Sequence, residues 1–146
     1  MNEDSMTNKM TERITKSFES QSMMKTIGAK IHKVEKGKVT IEVTILSTTL
    51  QQQGYAHAGL TFSIGDSAAG YSALTLMPEG QEVMTAEIKI NFLAPAEGEL
   101  LRAEGRVVKN GKRLVVVNSE IHAFKDRKKK LIAIIQGTMI PFPSKP

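Results

Sequence analysis

The chain has 146 residues, a length that suits one domain, and its 40% hydrophobic and 24% charged residues are ordinary for a globular protein. No apolar run approaches the roughly 20 residues of a membrane span, and without cysteine the chain has neither disulfides nor thiolate metal ligands. The net charge of +5 comes without tryptophan or an aromatic stripe, which argues against nucleic-acid binding.

The first ten residues, MNEDSMTNKM, are polar and lack the apolar stretch of a secretory signal. We therefore expect a cytoplasmic protein that does not bind membranes. From Asn8 to Met24 apolar residues recur at near-helical spacing. They are Met10, Ile14, Phe18 and, less regularly, Met23. This pattern predicts an amphipathic helix, and we treat residues 1–26 as an N-terminal helical extension of a domain over residues 27–146.

Two short strands are predicted next, joined at EKGK by a turn at Gly37. In the second strand apolar and polar residues alternate from Val39 to Ile45, as they do in a half-buried strand. The following segment, Gly54–Leu74, is apolar on almost every side, which is typical of a buried helix. Pro78 and Gly80 then end it.

Downstream, hydrophobic residues recur at every second position instead of at helical spacing, a pattern that is typical of strands. The strand MTAEIKINFLAP places Met84, Ala86, Ile88, Ile90 and Phe92 on one predicted face, and Thr85, Glu87, Lys89 and Asn91 on the other. Residues 99–124 predict a long hairpin with a type I′ turn at Asn110 and Gly111, and KLIAIIQGTMI predicts a last strand.

This order of elements lacks βαβ alternation and therefore predicts an α+β fold. One long central helix would lie along a curved antiparallel sheet, which is the hot-dog arrangement. Asp66 is unexpected on such a helix, because a buried carboxylate costs several kcal/mol unless it is paired or hydrogen-bonded. Its presence requires either a structural partner or a chemical role.

The segment GYAHAGLTFSIGDSAAGYSAL, followed by VMTAEIKINFLAPA, RVVKNGKRLVVVNSEI and LIAIIQGTMI, resembles the PaaI-like family of hot-dog acyl-CoA thioesterases. The resemblance runs from about Ile27 to Ile140. Its most specific part is a His-Gly-Gly motif at a helix start with an aspartate nine residues after the histidine. Here the motif is His57-Ala58-Gly59, followed by Asp66.

The resemblance implies hydrolysis of an acyl-CoA to a free acid and CoA without a metal or cofactor. It places the Ala58 N–H at the oxyanion donor, Asp66 as nucleophile or general base, Gln51 near the attacking water or carbonyl, and Thr85 beside the carboxylate. Ala58 departs from the family pattern because it replaces the usual first glycine. Its amide remains, but its methyl group could narrow the approach of the thioester.

Helix geometry adds a prediction about assembly. Ala58 and Asp66 are eight residues apart, which is roughly 12 Å of axial rise on a helix. A single helix therefore cannot bring both groups to one carbonyl, whereas two antiparallel copies can. We expect a homodimer with two shared sites, and the resemblance implies a dimer of dimers.

Further candidates for substrate contact flank these groups or carry positive charge. They are His57, Gly59 and Ser67, with Lys109, Lys112, Arg113 and the run Lys128–Lys130 as candidates for the CoA phosphates. The same lysines could simply solvate loops and sheet edges. His32 and His122 lie on predicted strands away from any acidic cluster, so a metal site has little support.

Each assignment has a structural alternative. Asp66 could be a buried aspartate bonded to a neighbouring Thr or Ser, and His57 could cap the helix, which we prefer to a role as general base. The small residues around both could serve close packing, Gln51 could belong to a polar loop, and Thr85 could face solvent.

Two other functions compete with thioester hydrolysis. A hot-dog dehydratase or hydratase needs a paired His and carboxylate, but His57 and Asp66 are about half a turn out of phase on a continuous helix. A non-catalytic acyl-CoA-binding module stays open because a fold alone does not establish catalysis. The acyl group cannot be identified from the sequence.

Overall fold

A computed structural model describes residues 3–145. Its first elements are helices α1 (Glu3–Glu19) and α2 (Ser22–Ile27), and a single 3₁₀ turn (Ser47–Thr49) precedes the long helix α3 (Ala58–Leu74). The strands are β1 (Lys30–Glu35), β2 (Lys38–Thr44), β3 (Gln81–Phe92), β4 (Leu100–Asn110), β5 (Val115–Lys125) and β6 (Lys128–Pro143).

Within the described residues the strands form one six-stranded sheet in the order β1-β2-β4-β5-β6-β3. Every neighbouring pair is antiparallel. Helix α3 lies on one face of this curved sheet and contacts β2 to β6. The predicted α+β hot-dog arrangement is confirmed, and the edges of the sheet are β1 and β3.

Helix α3 is buried because eleven of its residues are apolar or small enough to pack between the sheet and the surrounding loops. The closest approach is at Gly105 of β4, where a Cβ atom would lie 2.1 Å from the backbone carbonyl of Ala68. Only glycine fits there. This contact fixes the helix against the sheet and hence the depth at which Asp66 lies.

The N-terminal helix is interrupted where a continuous one was predicted. Helix α1 ends at Glu19, Ser20 donates its hydroxyl to the Lys16 carbonyl (2.8 Å), and Gln21 is extended before α2 begins. A side chain that bonds the backbone in this way competes with helix continuation. The break changes which methionine faces the core, so Met24 is buried and Met23, the expected residue, is 52% exposed.

The predicted type I′ turn at Asn110 and Gly111 is wrong. Neither residue has the positive φ that this turn requires. Asn110 pairs with Val115, which leaves a four-residue connection in which the Gly111 N–H donates to the Leu114 carbonyl (3.0 Å). The two-residue turn with positive φ at both positions lies instead between β5 and β6, at Asp126 (50°) and Arg127 (64°).

The predicted alternation along β3 is also interrupted. The pairing with β6 shifts between Thr85 and Glu87, which marks a β-bulge at Ala86. Before the bulge, Thr85 pairs with the buried Met139, and after it Ile88 pairs with the buried Gly137. The bulge therefore places Thr85 on the same inner face as Ile88, rather than on the opposite face.

Candidate active site

Helix α3 begins at a histidine cap. The Nδ1 atom of His57 accepts a hydrogen bond from the Gly59 N–H (2.8 Å), so the capping alternative for His57 is confirmed. Ala58 is the first helical residue, and its exposed N–H has no hydrogen-bond partner among residues 3–145. Because unpaired amides and the helix dipole favour negative charge, the Ala58 N–H is a ready donor to an oxyanion.

A cleft of about 440 Å³ opens beside this amide, and we call it the helix-start cleft. Most of its wall is apolar, from Phe92 through Ala96 and at Ile132, while Gln51, Ala58 and Thr61 also line it. The Oε1 atom of Gln51 accepts from the Gln53 N–H, which fixes the amide group at the cleft. The structure therefore brings Gln51 and Ala58 together.

Thr61 was not found by the sequence analysis. The residue is 1% exposed, and its hydroxyl has no hydrogen-bond partner within the described part of the chain. Buried hydroxyls are normally hydrogen-bonded. No sequence signal distinguished this threonine from the other small residues of the helix.

Asp66 lies in the middle of α3 and is half-buried. The Thr85 hydroxyl donates to its Oδ1 atom at 2.7 Å. Burial raises the pKa of Asp66 above its usual value, and the bond from Thr85 partly offsets that rise. A poorly hydrated carboxylate held by one hydroxyl is well suited to remove a proton from water or to attack a carbonyl.

Asp66 lines a second cleft of about 210 Å³, which we call the Asp66 cleft. Its other polar walls are Ser17, Gln21, Ser67, Tyr71, Glu82 and Thr85. Ser17 belongs to α1 and Gln21 lies at the break between α1 and α2, so the N-terminal segment reaches the site. Burial is the main cause that raises the pKa of the Tyr71 phenol.

The two clefts have no lining residue in common. Within one chain the structure groups Gln51 with Ala58 and, separately, Asp66 with Ser67 and Thr85. The separation of roughly 12 Å along α3 persists because the helix is continuous from Ala58 to Leu74.

The basic candidates also divide into two groups. Lys112 lines a cleft with Leu76 and Met77 beyond the C-terminal end of α3, and Lys109 and Arg113 are exposed in the same hairpin. Lys128 and Lys130 line a separate cleft with Lys125, Glu97 and Asp126, and we call it the basic cleft. Pro95 lies in the walls of both the basic cleft and the helix-start cleft.

Residues 3–145 hold no cluster of three or more His, Cys, Asp or Glu side chains able to bind a metal ion. No helix in that range is both long and apolar enough to cross a lipid bilayer.

A family model described as the thioesterase superfamily matches residues 53–130, which is more than half of the chain. The matched segment contains His57, Ala58, Asp66 and Thr85. The chain belongs to the thioesterase superfamily. The resemblance to hot-dog thioesterases is thereby confirmed.

This thioesterase-superfamily chain has similar relatives in several bacteria. A crystal structure of a thioesterase family protein from Silicibacter pomeroyi is 36% identical with a TM-score of 0.90, and the match covers 92% of this chain and 99% of that one. A 1,4-dihydroxy-2-naphthoyl-CoA hydrolase of Listeria monocytogenes is 29% identical over 80% of this chain and 93% of its own. The PaaI protein of E. coli, 22% identical, shares the fold with a TM-score of 0.84 over 96% of this chain and 98% of its own.

Proposed function

We propose that this thioesterase-superfamily protein hydrolyses an acyl-CoA thioester to a free carboxylic acid and CoA at a site shared by two protomers. The observation that carries the proposal is the division of the reacting groups within one chain. An unpaired helix-start amide opens into one cleft, and a half-buried carboxylate held by Thr85 lies in another. Two antiparallel copies of α3 would join the helix-start cleft of one protomer to the Asp66 cleft of the other.

At such a joined site the Ala58 N–H of one protomer would donate to the thioester carbonyl oxygen. Asp66 of the second protomer would either take a proton from an attacking water or attack the carbonyl carbon itself. In both cases the C–S bond breaks, and the CoA sulfur leaves as a thiolate that takes up a proton. After direct attack the acyl group is held on Asp66 as a mixed anhydride, and water then hydrolyses that anhydride to release the free acid and regenerate the carboxylate. One donor to the developing oxyanion is worth about 3–4 kcal/mol of transition-state stabilisation.

Two observations favour a CoA thioester over other esters. The relative from Listeria monocytogenes is named a hydrolase of a naphthoyl-CoA. The basic cleft with Lys128 and Lys130 adjoins the helix-start cleft at Pro95, so it could hold the phosphates of CoA. Lys109, Lys112 and Arg113 lie beyond the other end of α3 and are the weaker candidates. A dimer of dimers, implied by the family resemblance, is part of the same proposal.

Thiol release from a panel of acyl-CoAs tests the activity. We expect Asp66→Asn to lower kcat by about 100-fold or more. Ala58→Pro should lower it by about 100- to 1,000-fold because it deletes one donor, while Ala58→Gly, which keeps the N–H, is the matched control. Proline suits this first helical position, since His57 already has the extended ψ of 140° that precedes proline.

Mixing the two inactive variants tests the shared site. In a dimer of one Ala58→Pro and one Asp66→Asn protomer, one site carries both changes and the other carries neither. An equal, fully exchanged mixture should regain about one quarter of the wild-type activity. If mixing restores nothing, the site lies within one chain. If the wild-type protein binds acyl-CoA but releases no thiol, the protein is a binding module.

A further inference from the structure

The following inference rests on the proposed function and concerns which acyl groups the site accepts. In the shared site the thioester lies where the helix-start cleft of one protomer meets the Asp66 cleft of the other. The CoA phosphates favour the basic cleft, which adjoins the helix-start cleft at Pro95. The CoA end of the substrate therefore occupies the helix-start side, and the acyl end extends into the Asp66 cleft.

The N-terminal extension, here meaning helices α1 and α2 with the break between them, supplies part of the Asp66 cleft. Gln21 lies at the break and donates through Nε2 to the Tyr71 hydroxyl (2.8 Å). Ser17 Oγ lies 3.1 Å from the same hydroxyl, and the Phe18 ring packs against the Tyr71 ring at a centroid distance of 6.0 Å. These contacts hold the extension against the middle of α3.

The break between α1 and α2 has a consequence for the cleft. The backbone of Gln21 is extended rather than helical, and the residue is half-buried. Its side chain forms part of the wall of the Asp66 cleft. The bond to Tyr71 is the only hydrogen bond of the Gln21 side chain within residues 3–145, so its Oε1 atom has no protein partner and is a free acceptor open to solvent. An acyl group that offers a donor could satisfy it.

We propose that Gln21 is a specificity-determining residue, which with Tyr71 forms a polar end to the acyl pocket and favours acyl groups that carry a hydroxyl. A plain alkyl chain of the same length would leave the Gln21 amide unpaired against apolar surface, which is unfavourable. Glu82 in the same wall disfavours acyl groups that end in a carboxylate. The preferred substituent is therefore polar and uncharged.

The test compares hexanoyl-CoA with its 3-hydroxy and 6-hydroxy derivatives in the full-length protein. For the derivative whose hydroxyl reaches Gln21, Gln21→Leu should lower the preference over hexanoyl-CoA, measured as a ratio of kcat/KM values, by about tenfold. The lower preference should appear as a higher KM for the hydroxylated substrate with kcat unchanged, because the hydroxyl contact is the same in the ground and transition states. Gln21→Met is the second apolar variant if Gln21→Leu does not fold, and Gln21→Glu, which retains a polar side chain, should keep more of the preference.

Arg13→Gln is the matched control for loosening of the extension. The Arg13 guanidinium donates to the carbonyls of Met77 (2.8 Å), Pro78 (3.1 Å) and Gln81, and it does not line the Asp66 cleft. The role of Gln21 is overturned if both apolar Gln21 variants keep the wild-type preference for the hydroxylated substrate. It is also overturned if Arg13→Gln loses as much of that preference as Gln21→Leu does. Neither result affects the proposed function. Absence of thiol release from any acyl-CoA by the wild-type protein overturns the proposed function and this inference with it.

Discussion

At Asp66 two opposing influences act on one carboxylate. Burial raises its pKa, and the hydrogen bond from the Thr85 hydroxyl lowers it. The ionised form is the one that can attack a carbonyl or accept a proton from water. Thr85 therefore favours the reactive, ionised form, and this role can be tested apart from its packing.

We expect Thr85→Val to move the acid limb of the pH profile of kcat/KM to higher pH. Valine keeps the shape of threonine but removes the hydroxyl that lowers the pKa of Asp66, so a higher pH is needed to ionise the carboxylate. Thr85→Ser, which keeps the hydroxyl, should leave the limb near its wild-type position. A profile for Thr85→Val that overlays the wild-type one would show that another group titrates.

We expect Asp66→Asn to stabilise the fold while it removes activity. Because the pKa of Asp66 is higher in the folded than in the unfolded chain, the folded state binds more protons between the two pKa values. Stability therefore falls as pH rises through that window and stays lower above it. Asparagine removes this penalty and can still accept from Thr85.

Differential scanning calorimetry across pH measures the effect. Above the folded pKa of Asp66 the melting temperature of Asp66→Asn should exceed that of the wild-type protein by about 3 °C. The difference should shrink as the pH falls and the wild-type carboxyl becomes neutral. A difference that does not depend on pH would point to packing rather than ionisation.

The residues of the site could be predicted from the sequence to different degrees. Asp66 was conspicuous because a charge interrupts an apolar helix. Thr85 was found through the family resemblance alone, since strand periodicity placed it on the opposite face and a bulge has no reliable sequence mark. Thr61 and Gln21 gave no signal, because the burial of the Thr61 hydroxyl and the helix break at Gln21 arise from tertiary contacts.

At the scale of elements, the seating of α3 on the sheet decides where the site groups lie. Gly105 of β4 and Gly65 of α3 both lie where the helix and the sheet are in close contact, but they face different kinds of atoms. A Cβ atom on Gly105 would meet the backbone of Ala68 at 2.1 Å and that of Ala69 at 2.4 Å. A Cβ atom on Gly65 would meet the end of the Ile135 side chain at 2.5 Å and the end of Ile121 at 3.0 Å. Backbone cannot move aside, whereas a methyl group at the end of a side chain can.

We therefore expect Gly105→Ala to destabilise the protein by about 3 kcal/mol, because α3 must move away from β4. Gly65→Ala should stay within about 1 kcal/mol of wild type, since the gain in helix propensity offsets the crowding of the isoleucines. Urea unfolding midpoints measure both. Equal losses in the two variants would mean that the helix is not held by its contact at Gly105.

The order and type of the main elements followed from hydrophobic periodicity, but turn geometry did not. Asn-Gly is a strong hairpin signal, yet the register of β4 with β5 leaves four residues in that connection. Asp126 and Arg127 form the tight turn because β5 and β6 pair up to Lys125 and Lys128, and this long pairing outweighs the cost of positive φ at two residues other than glycine. The turn preference of a dipeptide therefore decides the turn type only where the strand register does not already set the length of the connection.

For the whole molecule, the two edges of the sheet are unlike each other. Strand β1 has six residues and contacts α1, while β3 has twelve and no strand partner on its outer side within the described chain. Met84 and Phe92 on β3, and Leu93 just beyond it, are each more than half exposed. A long edge strand with exposed apolar side chains is an aggregation hazard unless something covers it. A second copy of β3 would cover it and would fit the shared site proposed for catalysis.

This arrangement predicts that Met84→Lys weakens the dimer and lowers activity together. A lysine on an edge strand opposes edge-to-edge pairing, and across a two-fold axis it would place two positive charges near each other. Met23→Lys on α2 is the matched control, because Met23 is 52% exposed and Met84 is 53% exposed in the single chain.

Sedimentation velocity should show at least a roughly tenfold higher dimer dissociation constant for Met84→Lys and no change for Met23→Lys. Thiol release by Met84→Lys should recover as protein concentration rises, because mass action restores the shared site. A Met84→Lys protein that remains a fully active dimer at low concentration would place the interface elsewhere than at β3.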